Sequence, residues 1–535
     1  MKLAARSFKI QWDVHAWVGV LSSVLLFVIF YCGIFALFHR ELRVWQDPSV
    51  PHHGRPVNDR PSFGALLRQL EQRAELPRGA RVHIEPRERF ARVWIGHEPT
   101  QLELDLALEY APVTRTARTT ARSAEHSRLA DELYYMHFLY RAPGGIELAG
   151  LMGVALLVTL ASGLVIHLKD LVRQAWQFRP RLRLRFSASD AHKVLGVFGL
   201  PFGILFGWSG ALLGLFVLMS APFVKLAYRG DQHAFEAARG YPEPRAPRSD
   251  GGAPMLPLDE LVATATRLGQ QHWPEAQPLT VEHASLTAYG EPAARLTVGF
   301  ETKVFEQHRQ VHLAAHSGEL LGVYGHGPAP AAQLDRVLFD LHYALFGGRL
   351  VKALYALLAL GMCTVLLTGN LVWLERRDAQ RARPGSRWLE RGSVGACFGL
   401  VLGSAVYFAA NRCLPDGLQL RATWELGLFL AAWALSIVLV LASTAVSARR
   451  WTARLSLVAA VSFGAVLAHD CALEAAAWWR TRALVSEDWL SVELLLLALT
   501  LGCAAVSWRT AVPGARHAAA PADSLATHAV EDAAQ

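Results

Sequence analysis

The chain is 535 residues long, 52% hydrophobic and only 18% charged, with a formal net charge of +8 and a mean hydropathy of +0.23. That balance excludes an ordinary soluble protein throughout and places much of the chain in a membrane. The basic residues gather in short loops between apolar runs, so the charge reads as a topology signal and not as a nucleic-acid footprint.

Eight apolar runs have spanning length, at residues 16–38, 146–168, 194–219, 350–374, 393–411, 424–447, 454–474 and 489–508. The first follows Lys2, Arg6 and Lys9, as a signal peptide would. It is long, aromatic-rich and without a small-x-small cleavage site, so a retained helix is expected. Basic clusters at 169–193, at 375–391 and at Arg449, Arg450 and Arg454 fall on one side if the spans alternate. Short loops rich in Lys and Arg stay in the cytoplasm, which puts both termini there and the two long segments between spans outside.

The first external segment, 40–136, is polar and Arg-rich. A helical pattern covers 62–74, and 81–85, 89–95 and 102–106 alternate as strands. The second, 220–341, opens with a Pro- and Gly-rich linker at 241–257, followed by a helix at 258–271, strands at 279–283, 295–300 and 310–314, and a turn at 316–319. Each segment reads as one helix with its own small sheet, suited to contact or regulation and too small to enclose a deep pocket. The tail, 511–535, reads as disordered and cytoplasmic. Six cysteines show no CxxC spacing; Cys413 and Cys471 stand near the outer ends of spans five and seven, where an oxidising compartment could join them.

Two stretches match each other. WDVHAWVGVLSSVLLFVIFYCG at 12–33 places Gly19 four residues after His15 and ends in Cys32-Gly33; SDAHKVLGVFGLPFGILFGWSG at 189–210 repeats this with His192, Gly196 and Ser209-Gly210. Eighteen residues make five helical turns, so each histidine and its distant glycine share a face about 27 Å long. The second and fourth spans also correspond. His137 precedes one, in MHFLYRAPGGIELAG, and that span holds Ser162-Gly163; His342 precedes the other, in LHYALFGGRLVKALY, with Thr368-Gly369. The first four spans are therefore read as two copies of one unit, and spans five to eight show no such pattern.

Ionisable residues at the ends of spans are functional suspects. His15 and His192 lie at the inner boundary, His137 and His342 at the outer one, and a pseudo-twofold arrangement would bring each like pair together. Two facing imidazoles in an apolar bundle suit the axial positions of a b-type haem, held without covalent attachment because no CxxCH occurs. Two haems are expected, with Gly19 and Gly196 clearing space at the inner one and Gly33 and Gly210 at the outer one. The bland reading is that a boundary histidine snorkels and a glycine in a span serves helix packing.

His39 and His167, at the opposite ends of spans one and two, are reserve ligands. His469, beside Asp470, reads as structural, and His83, His308 and His312 as residues of polar strand faces. Lys169, Arg185 and Lys193 inside, and Arg141, Arg349 and Lys352 outside, are placed to pair with haem propionates. Trp17, Trp208 and Trp373 fit either an interfacial belt or haem-edge packing.

The motifs VHAWVG, DAHKVLG, MHFLY and LHYALFGG, the four small-Gly pairs and the charged exit WLERR resemble the PepSY-associated transmembrane proteins over residues 10–378. That family includes iron-regulated inner-membrane proteins and ferric-siderophore reductases. Residues 258–323, ending in QVHLAAHSGELLGV, resemble a PepSY module, and the first external segment does so more weakly. The resemblance implies an all-α polytopic protein of the bacterial inner membrane with two small α+β periplasmic modules. Its divisions are a first helix (1–39), module one (40–136), two helices with their basic loop (137–219), module two (220–341), a fourth helix (342–378), a four-helix extension (379–510) and the tail.

The implied activity is electron transfer, through two haem b groups ligated by His15, His192, His137 and His342, from a quinol or cytoplasmic donor to a periplasmic acceptor such as an Fe(III)-siderophore. A non-redox scaffold or accessory protein of siderophore uptake or protease regulation, binding a periplasmic partner through its modules, is the alternative. A transporter fits less well, since the two units share one orientation and carry no carboxylates at mid-depth.

Overall fold

The computed structural model describes residues 5–46, 62–73, 76–86, 90–97, 100–109, 118–121, 127–168, 184–239, 244, 254–276, 278–302, 308–325, 330–378, 384–415, 418–443, 445–481 and 487–511. The expected tail beyond 511, most of the 241–257 linker and most of the 169–193 loop lie outside this set.

Among the described residues, eight helices are long and apolar enough to cross a membrane. They are α1 (Ala5–Leu37), α5 (Gly145–His167), α7 (Leu200–Ala227), α11 (Gly348–Asp378), α12 (Pro384–Cys413), α13 (Arg421–Ala442), α14 (Ala448–Thr481) and α15 (Glu487–Ala511). Shorter helices complete the set: α2 (His39–Trp45), α3 (Phe63–Arg73), α4 (Leu129–His137), α6 (Leu184–Phe198), α8 (Gln232–Ala238), α9 (Leu258–His272) and α10 (Pro330–His342). Leu21, Leu226 and Leu350 are largely exposed on these surfaces. Such faces suit lipid, where a helix meets its backbone hydrogen bonds internally. The chain is a multi-pass membrane protein.

In the first half, α1 packs on α5 and α11, α5 on α7, and α6 on α11. Small residues set these distances: a Cβ on Gly214 of α7 would lie 2.6 Å from the Gly150 Cα of α5. The extension uses the same device, with Gly395, Gly399 and Gly403 of α12 receiving Ile437, Ser436 and Phe429 of α13. Two contacts dock it on α1, a 2.6 Å hydrogen bond between the Tyr31 and Ser404 hydroxyls and the Phe35–Phe408 ring pair at 5.7 Å. At the end of α2 the Arg412 guanidinium lies 3.6 Å over the Trp45 ring and pairs with Asp470 at 2.9 Å, while the Trp45 indole donates to Glu493 at 2.9 Å. No disulfide joins Cys413 to Cys471.

Helix boundaries depart from the expected pattern at the histidines. His137 and His342 are the last residues of the separate short helices α4 and α10, not the first of a span. The chain must turn sharply between each short helix and the span that follows. It does so through left-handed residues at Leu139 and Gly144, and again at Ala344, Gly347 and Gly348. This conformation explains the Gly-Gly doublets, since glycine adopts it without a Cβ clash. The stretch 189–210 is likewise two helices, α6 and α7, interrupted at Gly199. Pro201 in the first turn of α7 brings no N–H to the ladder, and α1 has no proline at the matching position.

The external segments do not form two separate sheets. Strands β1 (Arg81–Pro86), β2 (Phe90–His97), β3 (Thr100–Glu109) and β4 (Arg118–Ala121) join β5 (Val281–Thr287), β6 (Arg295–Phe300), β7 (Arg309–Ala314) and β8 (Leu320–Tyr324) in one antiparallel sheet, ordered β4-β3-β2-β1-β5-β6-β7-β8. The seam is the β1–β5 ladder, with Val82 opposite Leu286 and Ile84 opposite Ala284. These four residues are buried with Leu66 and Leu70 of α3 and Leu261 and Ala265 of α9, so both helices cover one face. Pairing removes two exposed strand edges at once, which two small sheets would each have to protect.

Candidate functional site: two facing histidine pairs

The four histidines come together two by two. His15 of α1 faces His192 of α6 with ring centres 6.1 Å apart, and His137 of α4 faces His342 of α10 at the same 6.1 Å. The ring planes are inclined by 80° in the first pair and 46° in the second.

Hydrogen bonds fix how each ring presents itself. Nδ1 of His15 donates to the Thr159 carbonyl at 2.8 Å, Nδ1 of His192 to the Val365 carbonyl at 2.9 Å, and Nδ1 of His137 to the Ile29 carbonyl at 2.8 Å. A carbonyl only accepts, so the proton is on Nδ1 and the Nε2 lone pair is left for a ligand. His342 reaches the same state through a side chain. Its Nδ1 lies 2.7 Å from Ser209 Oγ, whose own hydrogen goes to the Leu205 carbonyl at 2.6 Å, so Oγ is the acceptor.

Glycines seat three of the four rings. A Cβ on Gly163 would lie 2.9 Å from the His15 ring, on Gly369 3.0 Å from His192, and on Gly33 3.0 Å from His137. Gly33 therefore makes room for a histidine ring itself. Among the described residues, and leaving aside the helix's own backbone, nothing lies within 4 Å of a Cβ placed on Gly196 or Gly210, and on Gly19 the nearest atom is Thr159 Cγ2 at 3.9 Å.

Two imidazoles on opposite sides of one metal ion have ring centres about 6 Å apart, from about 2 Å per metal–nitrogen bond and about 1 Å from each nitrogen to its ring centre. The observed spacing fits that arrangement in both pairs. Among the described residues no group of three or more His, Cys, Asp or Glu could hold a metal ion. A metal held here thus needs its remaining ligands from a bound group, as a haem macrocycle supplies them.

His39 is committed elsewhere: its Nε2 meets Asp131 at 2.7 Å and its ring lies 4.8 Å from Tyr134. His167 ends α5, on the side of His15 and His192. The outer cations named as propionate partners have carboxylates instead. Arg141 pairs with Glu132, Arg349 with Glu487, and Lys352 with Glu41 at 2.6 Å. The side chains of Lys169 and Arg185 lie outside the described residues. Trp17, two residues after His15, and Trp373, four residues after Gly369, meet edge to face at 5.7 Å.

The seats at Gly163 and Gly369 and the role of Ser209 were not legible as such. The small-Gly doublets marked the positions, but a carbonyl acceptor carries no sequence signature, and only the helix crossing reveals which ring meets which glycine.

The fold and site define a class: a polytopic membrane protein whose helices hold two facing histidine pairs and whose inter-span segments form one antiparallel sheet. Residues 12–376 match the PepSY-associated TM region family, and the chain belongs to it. An uncharacterized protein of Pseudomonas aeruginosa is 31% identical over 303 residues, a match covering 55% of this chain and 74% of that relative.

Proposed function

We propose that the protein is a di-haem b oxidoreductase of the bacterial inner membrane, passing electrons outward to a periplasmic acceptor, with an Fe(III)-siderophore as the substrate class. The observation that carries this reading is the pair of 6.1 Å imidazole spacings, each with Nδ1 committed and Nε2 left to ligate. His15 and His192 would hold the inner haem, and His137 and His342 the outer one. Haem supplies reversible one-electron chemistry when bound.

The chain's own residues provide the rest. Thr159, Val365 and Ile29 hold their rings through carbonyls, and Ser209 holds His342 through its hydroxyl, which raises ligand basicity and prevents rotation. His15 and residue 29 of α1 are fourteen residues apart, so the two pairs are separated by roughly 21 Å of helix, most of a bilayer core. An electron moving outward also descends an inside-negative potential, by about 2.3 kcal/mol per 100 mV. Reduction of a ferric chelate to Fe(II) weakens the chelate and releases iron.

We read the external segments as two PepSY-like modules joined through β1 and β5. They touch the outer site's own helix, where Arg336 of α10 bonds His308 beside β7 and pairs with Asp340 at 3.0 Å. Substituting His192→Ala and His342→Ala separately tests the assignment. Each is expected to remove about one haem per chain, measured by haem-to-protein ratio. Retention of both haems after either change would transfer the ligand role to His39 or His167. An anaerobic assay across ferric chelates, read as Fe(II) release, then tests the substrate class.

A further inference from the structure

The material between the two histidine pairs differs between the halves of the chain. Counted from the matched His15 and His192, positions 25 and 29 correspond to 202 and 206; counted from Gly163 and Gly369, positions 149 and 156 correspond to 355 and 362. The first half has Leu25, Ile29, Ala149 and Leu156 there, and the second has Phe202, Phe206, Tyr355 and Met362. At these four matched positions the second half carries rings and a thioether where the first carries aliphatic side chains; α1 adds rings at other positions, Phe30 among them, 6.2 Å from Phe202.

In the structure Phe202, Phe206 and Tyr355 adjoin one another, and Met362 belongs to the same apolar cluster as Phe202 and Tyr355. The Phe206 ring centre lies 4.9 Å from that of His342 and 4.3 Å from Phe202. Tyr355 lies 5.5 Å from Phe202 and 5.6 Å from Phe206. Met362 fills the groove of α7 beside Phe202: its Sδ is 3.3 Å from a Cβ placed on Gly199 and its Cε 3.6 Å from one on Gly203. Three residues further along α11 is Val365, whose carbonyl holds His192. Phe202 and Met362 are buried. A packed route therefore runs from His342 through Phe206 and Phe202 to Met362, and by one turn of α11 to His192.

We propose that electrons cross between the two sites through this second half, with Phe202, Phe206, Tyr355 and Met362 as the coupling medium. The inference rests on the di-haem reading. Electronic coupling decays steeply with distance, and faster across gaps than through polarisable atoms in contact. The route through Phe206 and Phe202 to Met362 supplies rings and sulfur where the matched positions supply Leu25 and Leu156. Each event moves one electron: the iron held by His15 and His192 is oxidised by one, and the iron held by His137 and His342 is reduced by one. No bond forms or breaks. A quinol-class donor inside supplies the electron, and an external ferric chelate removes it.

The test uses the full chain in proteoliposomes, reduced beforehand and mixed rapidly with an impermeant ferric oxidant, ferricyanide. Haem absorbance should decay in two phases, a fast one for the outer centre and a slow one limited by transfer between centres. Phe202→Leu/Phe206→Leu and Met362→Leu should each slow the second phase several-fold and leave the first unchanged, with both haems present by stoichiometry. Tyr355→Phe, which keeps the ring, should preserve the rate. Phe206 touches His342, so Met362→Leu, nearly isosteric and away from both pairs, decides if the double variant loses a haem. An unchanged slow phase in Met362→Leu and in a haem-replete double variant would overturn the route. Absence of haem bands in the unsubstituted protein would instead overturn the di-haem reading, and the route with it.

Discussion

Ser209 stands where a backbone carbonyl stands in the other three histidine bonds, and it makes His342 the most vulnerable of the four. Partners that orient a metal-ligating histidine are worth about 10–100-fold in metal affinity. Ser209→Ala should therefore lower haem occupancy at the outer pair by that order, read by haem-to-protein ratio after dilution. Ser162→Ala should change little, because His15 already has the Thr159 carbonyl at 2.8 Å while Ser162 Oγ is 3.5 Å away. Equal losses in both variants would show that the two serines do not differ in role. On the sheet, His312 of β7 has a buried Nε2 with no hydrogen-bond partner among the described residues, although its Nδ1 lies 2.9 Å from Thr297 Oγ1. Burial, aided by the Arg295 charge, pushes its pKa down to about 4 from the usual 6.5. Between those values the unfolded chain takes up a proton that the folded sheet refuses, so stability falls as pH drops from 6.5 toward about 4. Thermal unfolding should shift downward across that window and shift less in His312→Gln; identical profiles would remove His312 from the account.

At the scale of elements, the extension is held by a buried charge. Arg412 pairs with Asp470, which is fully buried, and stacks on Trp45. Arg412→Ala leaves that carboxylate without its guanidinium and with the His469 Nδ1 at 3.0 Å, which costs up to about 3–5 kcal/mol, and should lower the melting temperature and open α12–α15 to proteolysis. An unaltered melting profile would mean the pair is dispensable. The spans themselves were legible, because a hydrophobic run of bilayer length has few other uses: α5 was expected at 146–168 and runs Gly145–His167, and α13 was expected at 424–447 and runs Arg421–Ala442. The short helices α4 and α10 were not. Their polar, mixed sequences carry no membrane-length signal, and their ends are set by left-handed turns that the Gly-Gly doublets only hint at. Strand β6 followed its alternation, 295–300 agreeing with Arg295–Phe300, whereas β5 runs Val281–Thr287 against an expected 279–283 and β4 and β8 were not expected. The merging of eight strands into one sheet rests on the β1–β5 ladder, a pairing about two hundred residues apart that no local pattern announces.

At the scale of the whole molecule, the histidines matched by their spacing along the chain are the ones that face each other, His15 with His192 and His137 with His342. That spacing could not foretell the seats, the acceptors or the carboxylates that occupy Arg141, Arg349 and Lys352. Those depend on how α1, α5, α7 and α11 cross. With these outer cations already paired, propionates of an outer haem would have to meet other groups or water. In the proposed function both imidazole pairs would hold a haem iron. The most direct test is a reduced-minus-oxidised absorption spectrum of the purified full chain, produced with adequate haem and quantified as the pyridine complex. The account predicts b-type bands at two haems per chain. A spectrum without them would contradict it.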